Sequence, residues 1–233
     1  MIREGLRRLV RAACGALGED TVVIIGSQSI LGSFGDFMLP AAATISVEAD
    51  LLPFDDLDES KADQIDGLLG ADSYFASKYG IYADGVSAWT AHLPEGWHQR
   101  LVRFEDPESG SVGLCLHPED LCVAKVLAGR EKDIDFVSAV LGAGLVDPAV
   151  VADRLDTVPL RPSEVPLKGR AELRLRTMTH PQRYATGPPV ARADIPRLED
   201  KLQRMAEAAR LCGRVLPDLT PCLQDRRTCS LHP

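Results

Sequence analysis

Ser46-Val47-Glu48-Ala49-Asp50-Leu51-Leu52 is the stretch whose reading decides the fold. Ile45, Val47, Ala49 and Leu51 alternate with Ser46, Glu48 and Asp50, so Thr44 to Leu52 reads as a strand closed by Pro53. Side chains two apart on a strand share a face, and Glu48 and Asp50 therefore project together. An acid-x-acid pair standing alone more often marks a solvated strand face. Its meaning depends on what precedes and follows it.

Before it, Ile2, Leu6, Leu9, Val10, Ala13 and Leu17 recur at helical spacing, which predicts an amphipathic helix over 2–17 ended by Gly18. The β-branched run Thr21-Val22-Val23-Ile24-Ile25 predicts a buried strand that stops at Gly26-Ser27. Gln28 to Leu31 then looks helical, and Gly32, Gly35 and Pro40 make the following stretch a loop.

After it, a helix is expected around Ala62–Leu69. Strands are expected at Ser87–His92, Leu101–Phe104 and Val112–Leu116. Pro118 opens a helix at its favoured first position, with Glu119 and Asp120 complementing the N-terminal dipole. Gly129 divides that helix from a second over Glu131–Leu141, and Asp147-Pro148 starts a third. From Pro159 the prolines predict a loop-rich, basic extension with one helix begun at Asp194 and a disordered tail. Residues 1–158 and 159–233 are thus read as a domain and its extension.

The 233 residues suffice for a sizeable core. No apolar run approaches bilayer length and no signal-peptide core follows Met1, so a cytoplasmic protein without a membrane partner is expected. The six cysteines show no CxxC and no Cys/His metal spacing, and they read as small buried hydrophobes. Residues 1–150 carry 24 acids and 11 bases, and residues 151–233 carry 10 acids and 15 bases. The acidic half suits divalent cations and argues against a wholly phosphate-hugging surface. The basic half either meets an anionic substrate or docks on the acidic one.

Three features now stand in order: a strand ending in Gly26-Ser27, a strand bearing Glu48 and Asp50, and the helical segment Leu121 to Phe136. Each suits transfer of a nucleoside monophosphate from an NTP. Mg²⁺ is held by one or two carboxylates plus substrate phosphates. A small-residue turn admits phosphate close to backbone N–H groups. A lysine adds point charge where catalysis is positioning and charge stabilisation.

The segments Ile25 to Phe34, Ser46 to Leu51, and Pro118 through the Arg130-Glu131-Lys132-Asp133 block resemble the DNA polymerase β-like nucleotidyltransferase superfamily. More narrowly they resemble a bacterial branch related to AbiEii-type toxins. The resemblance covers residues 5 to about 155 and implies an α/β (α+β) fold, a small mixed sheet flanked by helices with a helical C-terminal part. It implies that Gly26, Ser27, Lys125 and Arg130 meet the nucleotide, and that Glu48 and Asp50 bind Mg²⁺ or Mn²⁺. Lys125 would neutralise the triphosphate, with Asp133, or alternatively Asp135, as the acid that follows it. NTP is the implied substrate, with tRNA as acceptor and an antitoxin as partner in toxin relatives.

This sequence departs from the pattern in having Glu rather than Asp first, and in a longer gap between Ser27 and Glu48. No third carboxylate on a separate strand is read. Lys125 is equally readable as a lysine snorkelling from an apolar helix face, and Arg130 to Asp133 as ordinary helical ion pairs. The isolated histidines receive no role, and Trp89 and Trp97 are assigned to packing. Two other readings stay open: a degenerate fold serving as a nucleotide- or protein-binding module, and a small-molecule adenylyltransferase.

Overall fold

The structure, a computed structural model, describes residues 1–179. The expected helix begun at Asp194, the tail, and Cys212, Cys222 and Cys229 lie outside the described residues.

Helix α1 (Arg3–Leu17) leads into β1 (Thr21–Ile24), and a 3₁₀ segment follows at Ser27–Gly32. A single helical turn, α2 (Ala41–Thr44), precedes β2 (Glu48–Leu52). Then come α3 (Ser60–Leu69), α4 (Tyr74–Tyr79), β3 (Tyr82–Gly85), β4 (Val102–Glu105) and β5 (Val112–Cys115). Four helices close the described chain: α5 (Pro118–Ala128), α6 (Glu131–Gly142), α7 (Pro148–Asp156) and α8 (Val165–Thr179). The strands form one five-stranded sheet in the order β3-β2-β1-β5-β4. β1 runs parallel to β5 and antiparallel to β2, β2 runs parallel to β3, and β4 is antiparallel to β5. This is the small mixed sheet flanked by helices that the resemblance implies.

The sheet has a core on each side, as an α/β domain requires. On one side Leu6, Leu9 and Val10 of α1 meet Ile65 of α3 over Ile24, Ala49 and Leu51. On the other, α5 to α8 close around Ile30, Leu116, Val123, Phe136, Val151 and Leu175. Because Ala49 and Leu51 face α1, the strand period turns Glu48 and Asp50 away from that core. Among the described residues no helix is long and apolar enough to cross a membrane.

Three expected elements differ. The strand read from Thr44 begins only at Glu48. Pro40 precedes three alanines, and strong helix formers close one helical turn there, leaving Ile45 and Val47 at 80% and 44% exposure. No strand spans Ser87–His92: Thr90 N–H donates to the Ser87 carbonyl in a turn, and the edge strand is Tyr82–Gly85 instead. The loop-rich stretch read from Pro159 is helical over Val165–Thr179, with Ala171 and Leu175 buried in the second core. Proline is tolerated in a first helical turn, so Pro166 starts this helix rather than preventing it. The first compact unit accordingly runs from Met1 to Pro181.

Candidate functional site

The sheet brings the acids together with the residues read as phosphate contacts. Gly26 lies just past β1 and beside β2, where the Ile25 N–H donates to the Asp50 carbonyl at 3.1 Å. The Asp50 carboxylate lies directly over Gly26, so close that a Cβ at position 26 would overlap it. Any larger residue there would displace the acid. Ser27 begins the 3₁₀ turn, and Gly26 and Ser27 are the residues of this corner that line the cavity.

That cavity, of about 420 Å³, is lined by Gly26, Ser27, Glu48, Asp50, Lys125 and Arg130, with Lys132 and Phe136 beside them. Its size falls within the range of small-molecule sites. Ala42, Ala43 and Ile45 add apolar lining, and Thr90 to His92 line it as well. His92, which sequence reasoning left without a role, is thus a cavity residue.

The loop carrying Thr90 to His92 is tied down at its far end. Arg100 donates through Nε and Nη2 to both oxygens of the fully buried Asp120, at 2.9 and 3.0 Å. Arg154 of α7 lies 3.0 Å from the same carboxylate. A buried acid held by two guanidinium groups is fully partnered, and it locks the loop onto the start of α5.

Of the two readings of Lys125, the structure does not bear out the snorkelling one. Lys125 is 7% exposed, and its ammonium neither snorkels to solvent nor stands alone. Nζ donates to Ser27 Oγ at 3.0 Å and to Asp133 Oδ1 at 2.9 Å, and it sits 4.5 Å from the centre of the Phe136 ring. Arg130 donates from Nε to Asp133 Oδ2 at 2.6 Å while most of its side chain stays exposed at the cavity rim. Asp133 is fully buried beneath the two cations. Burial alone would raise its pKa, but hydrogen bonds from Arg130 and Lys125 outweigh this and hold the carboxyl below its ordinary value. Asp135, the alternative to Asp133, takes no part in this cluster.

Gly129 makes the elbow between α5 and α6 possible. It adopts φ +64°, which favours glycine, and the Arg174 guanidinium of α8 fills the space a Cβ would need. Arg174 Nη1 donates at 2.9 Å to the Val126 carbonyl, one of the groups left open at the end of α5.

A third carboxylate, missed in the sequence, stands on β3. The β2–β3 register sets Asp84 opposite Asp50 and Tyr82 opposite Glu48, so the four side chains share one face. Desolvation and then the charges of Glu48, Asp66 and Asp50 push the Asp84 pKa up to about 6. Asp50 is raised too, by burial first and then by Glu48, with Lys125, Lys132 and Arg130 opposing. The Tyr82 hydroxyl donates to Glu48 Oε2 at 3.0 Å, and this bond, ahead of burial, raises the phenol. The signal in the sequence was the acid of Tyr82-Ala83-Asp84-Gly85, a strand too short and too weakly apolar to announce itself.

Glu48, Asp50 and Asp84 crowded on one face, and a glycine that admits Asp50 to the turn, form a hard-oxygen donor set suited to Mg²⁺ or Mn²⁺. Among the described residues no three acid, histidine or cysteine side chains already converge as a cation cage. Mg²⁺ commonly completes its shell with waters and substrate phosphates, so a partial set fits it.

No curated protein and no solved structure matches the chain. A family model does match, over residues 7–163, and that span holds every acid and cation of the cavity named above. The chain belongs to the family described as nucleotidyltransferase of unknown function (DUF6036).

Proposed function

We propose that the protein transfers a nucleoside monophosphate from an NTP to a hydroxyl acceptor, in a reaction that needs a divalent cation. The observation that carries this reading is the Lys125–Ser27 bond of 3.0 Å, which joins a buried cation to a small-residue turn facing two carboxylates. Such a juxtaposition suits a triphosphate, whose transfer relies on charge stabilisation and positioning.

In this reading Glu48 and Asp50, with Asp84 beside them, hold Mg²⁺ or Mn²⁺. The cation, when bound, supplies charge neutralisation of the phosphates and of the developing leaving group. Gly26 and Ser27 admit the phosphates, Lys125 donates to them, and Arg130 meets them at the rim. Asp133 acts from beneath as a positioning residue that keeps both cations charged and aimed. Expelling water from this cavity strengthens each of these interactions. The AbiEii-type resemblance points to tRNA as the acceptor and to an antitoxin as a partner protein.

The test is isothermal titration with NTP and Mg²⁺ on the wild-type chain and on Glu48→Ala/Asp50→Ala. Tight binding is expected only in the former, and equal binding in both would sink the assignment. Incubation with labelled NTPs and total RNA then reads the transfer itself.

A second reading, nucleotide binding without transfer, is favoured by one observation: the Tyr82 phenol already occupies an oxygen of Glu48. Covalent labelling of any acceptor excludes it.

A further inference from the structure

We propose that Tyr82 is a positioning residue for Glu48, and that the two side chains work as a single unit in cation binding. The inference rests on the metal-dependent reading above and concerns a residue outside the acids.

Glu48 differs from aspartate by one methylene, which adds a rotatable bond and moves the carboxylate further from the strand. Left free, such a side chain samples several rotamers, and ordering it on binding costs conformational entropy. Three observations show that it is not free. Tyr82 stands opposite Glu48 across the parallel β2–β3 ladder. Its hydroxyl donates to Oε2 at 3.0 Å. At the backbone, the Glu48 N–H donates to Ser46 Oγ at 3.2 Å, and the Ser46 hydroxyl donates back to the Glu48 carbonyl at 3.3 Å. The residue is therefore held at both its main chain and its tip.

The phenol takes one carboxylate oxygen and leaves Oε1 for a cation. A donor that fixes a ligating carboxylate in this way sets its orientation without touching the metal. An aspartate at position 48 would withdraw the carboxylate from the phenol. The glutamate is thus matched to Tyr82, and the departure from the more usual aspartate has a partner on the neighbouring strand.

The experiment is Mn²⁺ binding to the full chain, with and without a non-hydrolysable NTP, followed by electron paramagnetic resonance. Four proteins are compared: wild type, Tyr82→Phe, Glu48→Asp, and the double variant. Circular-dichroism melting of each without metal reports folding separately. Each single change is expected to weaken Mn²⁺ binding about tenfold, the usual scale for loss of an outer partner of a ligand. The double variant should be no weaker than the worse single one, because both changes remove the same contact.

Tyr82→Phe binding as tightly as wild type would overturn the inference, and so would losses that multiply in the double variant. Absence of Mn²⁺ binding by the folded wild type, with nucleotide present, would overturn the metal-dependent reading itself, a result distinct from either.

Discussion

At Gly26 the backbone has φ −85° and ψ −165°, values open to any residue, so glycine is required there by space rather than by conformation. Its neighbour across the gap is the Asp50 carboxylate. Gly26→Ala is therefore expected to destabilise the chain by about 1–3 kcal/mol through overpacking, and to abolish nucleotide binding by displacing Asp50. In an Asp50→Ala background the same change should cost far less stability, which denaturant melts of the two pairs would show. Asp84 offers the opposite trade. Burial, and after it the charges of Glu48, Asp66 and Asp50, lift its pKa to about 6, so Asp84→Asn should raise the melting temperature of the cation-free chain at pH 7.5. The same variant should weaken Mn²⁺ binding. A lower melting temperature would show that the three acids do not repel one another in the folded chain. At this scale the sequence was informative for the shared strand face of Glu48 and Asp50, a local pattern, but not for the reach of Lys125 to Ser27, 98 residues away. Asp84 was hidden because its partner is Asp50 on another strand, and no spacing along the chain reveals a lateral pair.

Among the elements, α1 and the β4–β5 hairpin are joined by one ion pair that illustrates a pH effect away from the site. Arg11 Nε and Nη2 meet both oxygens of the buried Asp106 at 2.7 and 3.0 Å, and Ser109 adds two further hydrogen bonds. The Arg11 hydrogen bond, above the other contributions, holds the Asp106 carboxyl far below its usual range. A depressed carboxylate contributes stability that is complete above its unfolded pKa of about 4 and disappears as the pH falls toward the folded value. Asp106→Asn should thus cost about 2 kcal/mol at pH 7, and the gap to wild type should narrow steadily below pH 4. Urea melts at several pH values measure it, and a gap independent of pH would refute the assignment. The elements also show where local reading fails. Alternation at Ile45 and Val47 imitated a strand, yet these side chains face solvent and the alanines before them prefer a helical turn. Proline content imitated a linker after Pro159, although only Pro166 enters α8, at a position where it removes no hydrogen bond.

Over the whole molecule, the family match ends at residue 163 while the second core does not. α8 buries Ala171 and Leu175 against α5 and α7, and its Arg174 covers the Gly129 elbow that carries the Lys125–Asp133–Arg130 cluster. A chain of residues 1–181 is expected to melt cooperatively. One of residues 1–163 should melt at a clearly lower temperature, since removing two buried side chains and a helix cap exceeds the usual cost of a single core truncation. Equal melting of the two would show that α8 is dispensable to the fold. Arg174→Met, which keeps the apolar stem, should lower NTP affinity more than it lowers stability.

The parallel pairing of β1 with β5 has a further meaning for how the protein is made. Ser27 leaves the ribosome early, whereas Lys125 and Asp133 follow about a hundred residues later. At the usual pace of synthesis, several seconds separate the two halves of this cluster. A nascent chain can pair β1 with β2 and present both acids while the cation that answers them is still unmade. An interrupted translation product therefore carries the carboxylates without their lysine, and the Lys125–Ser27 bond forms only with the last third of the domain.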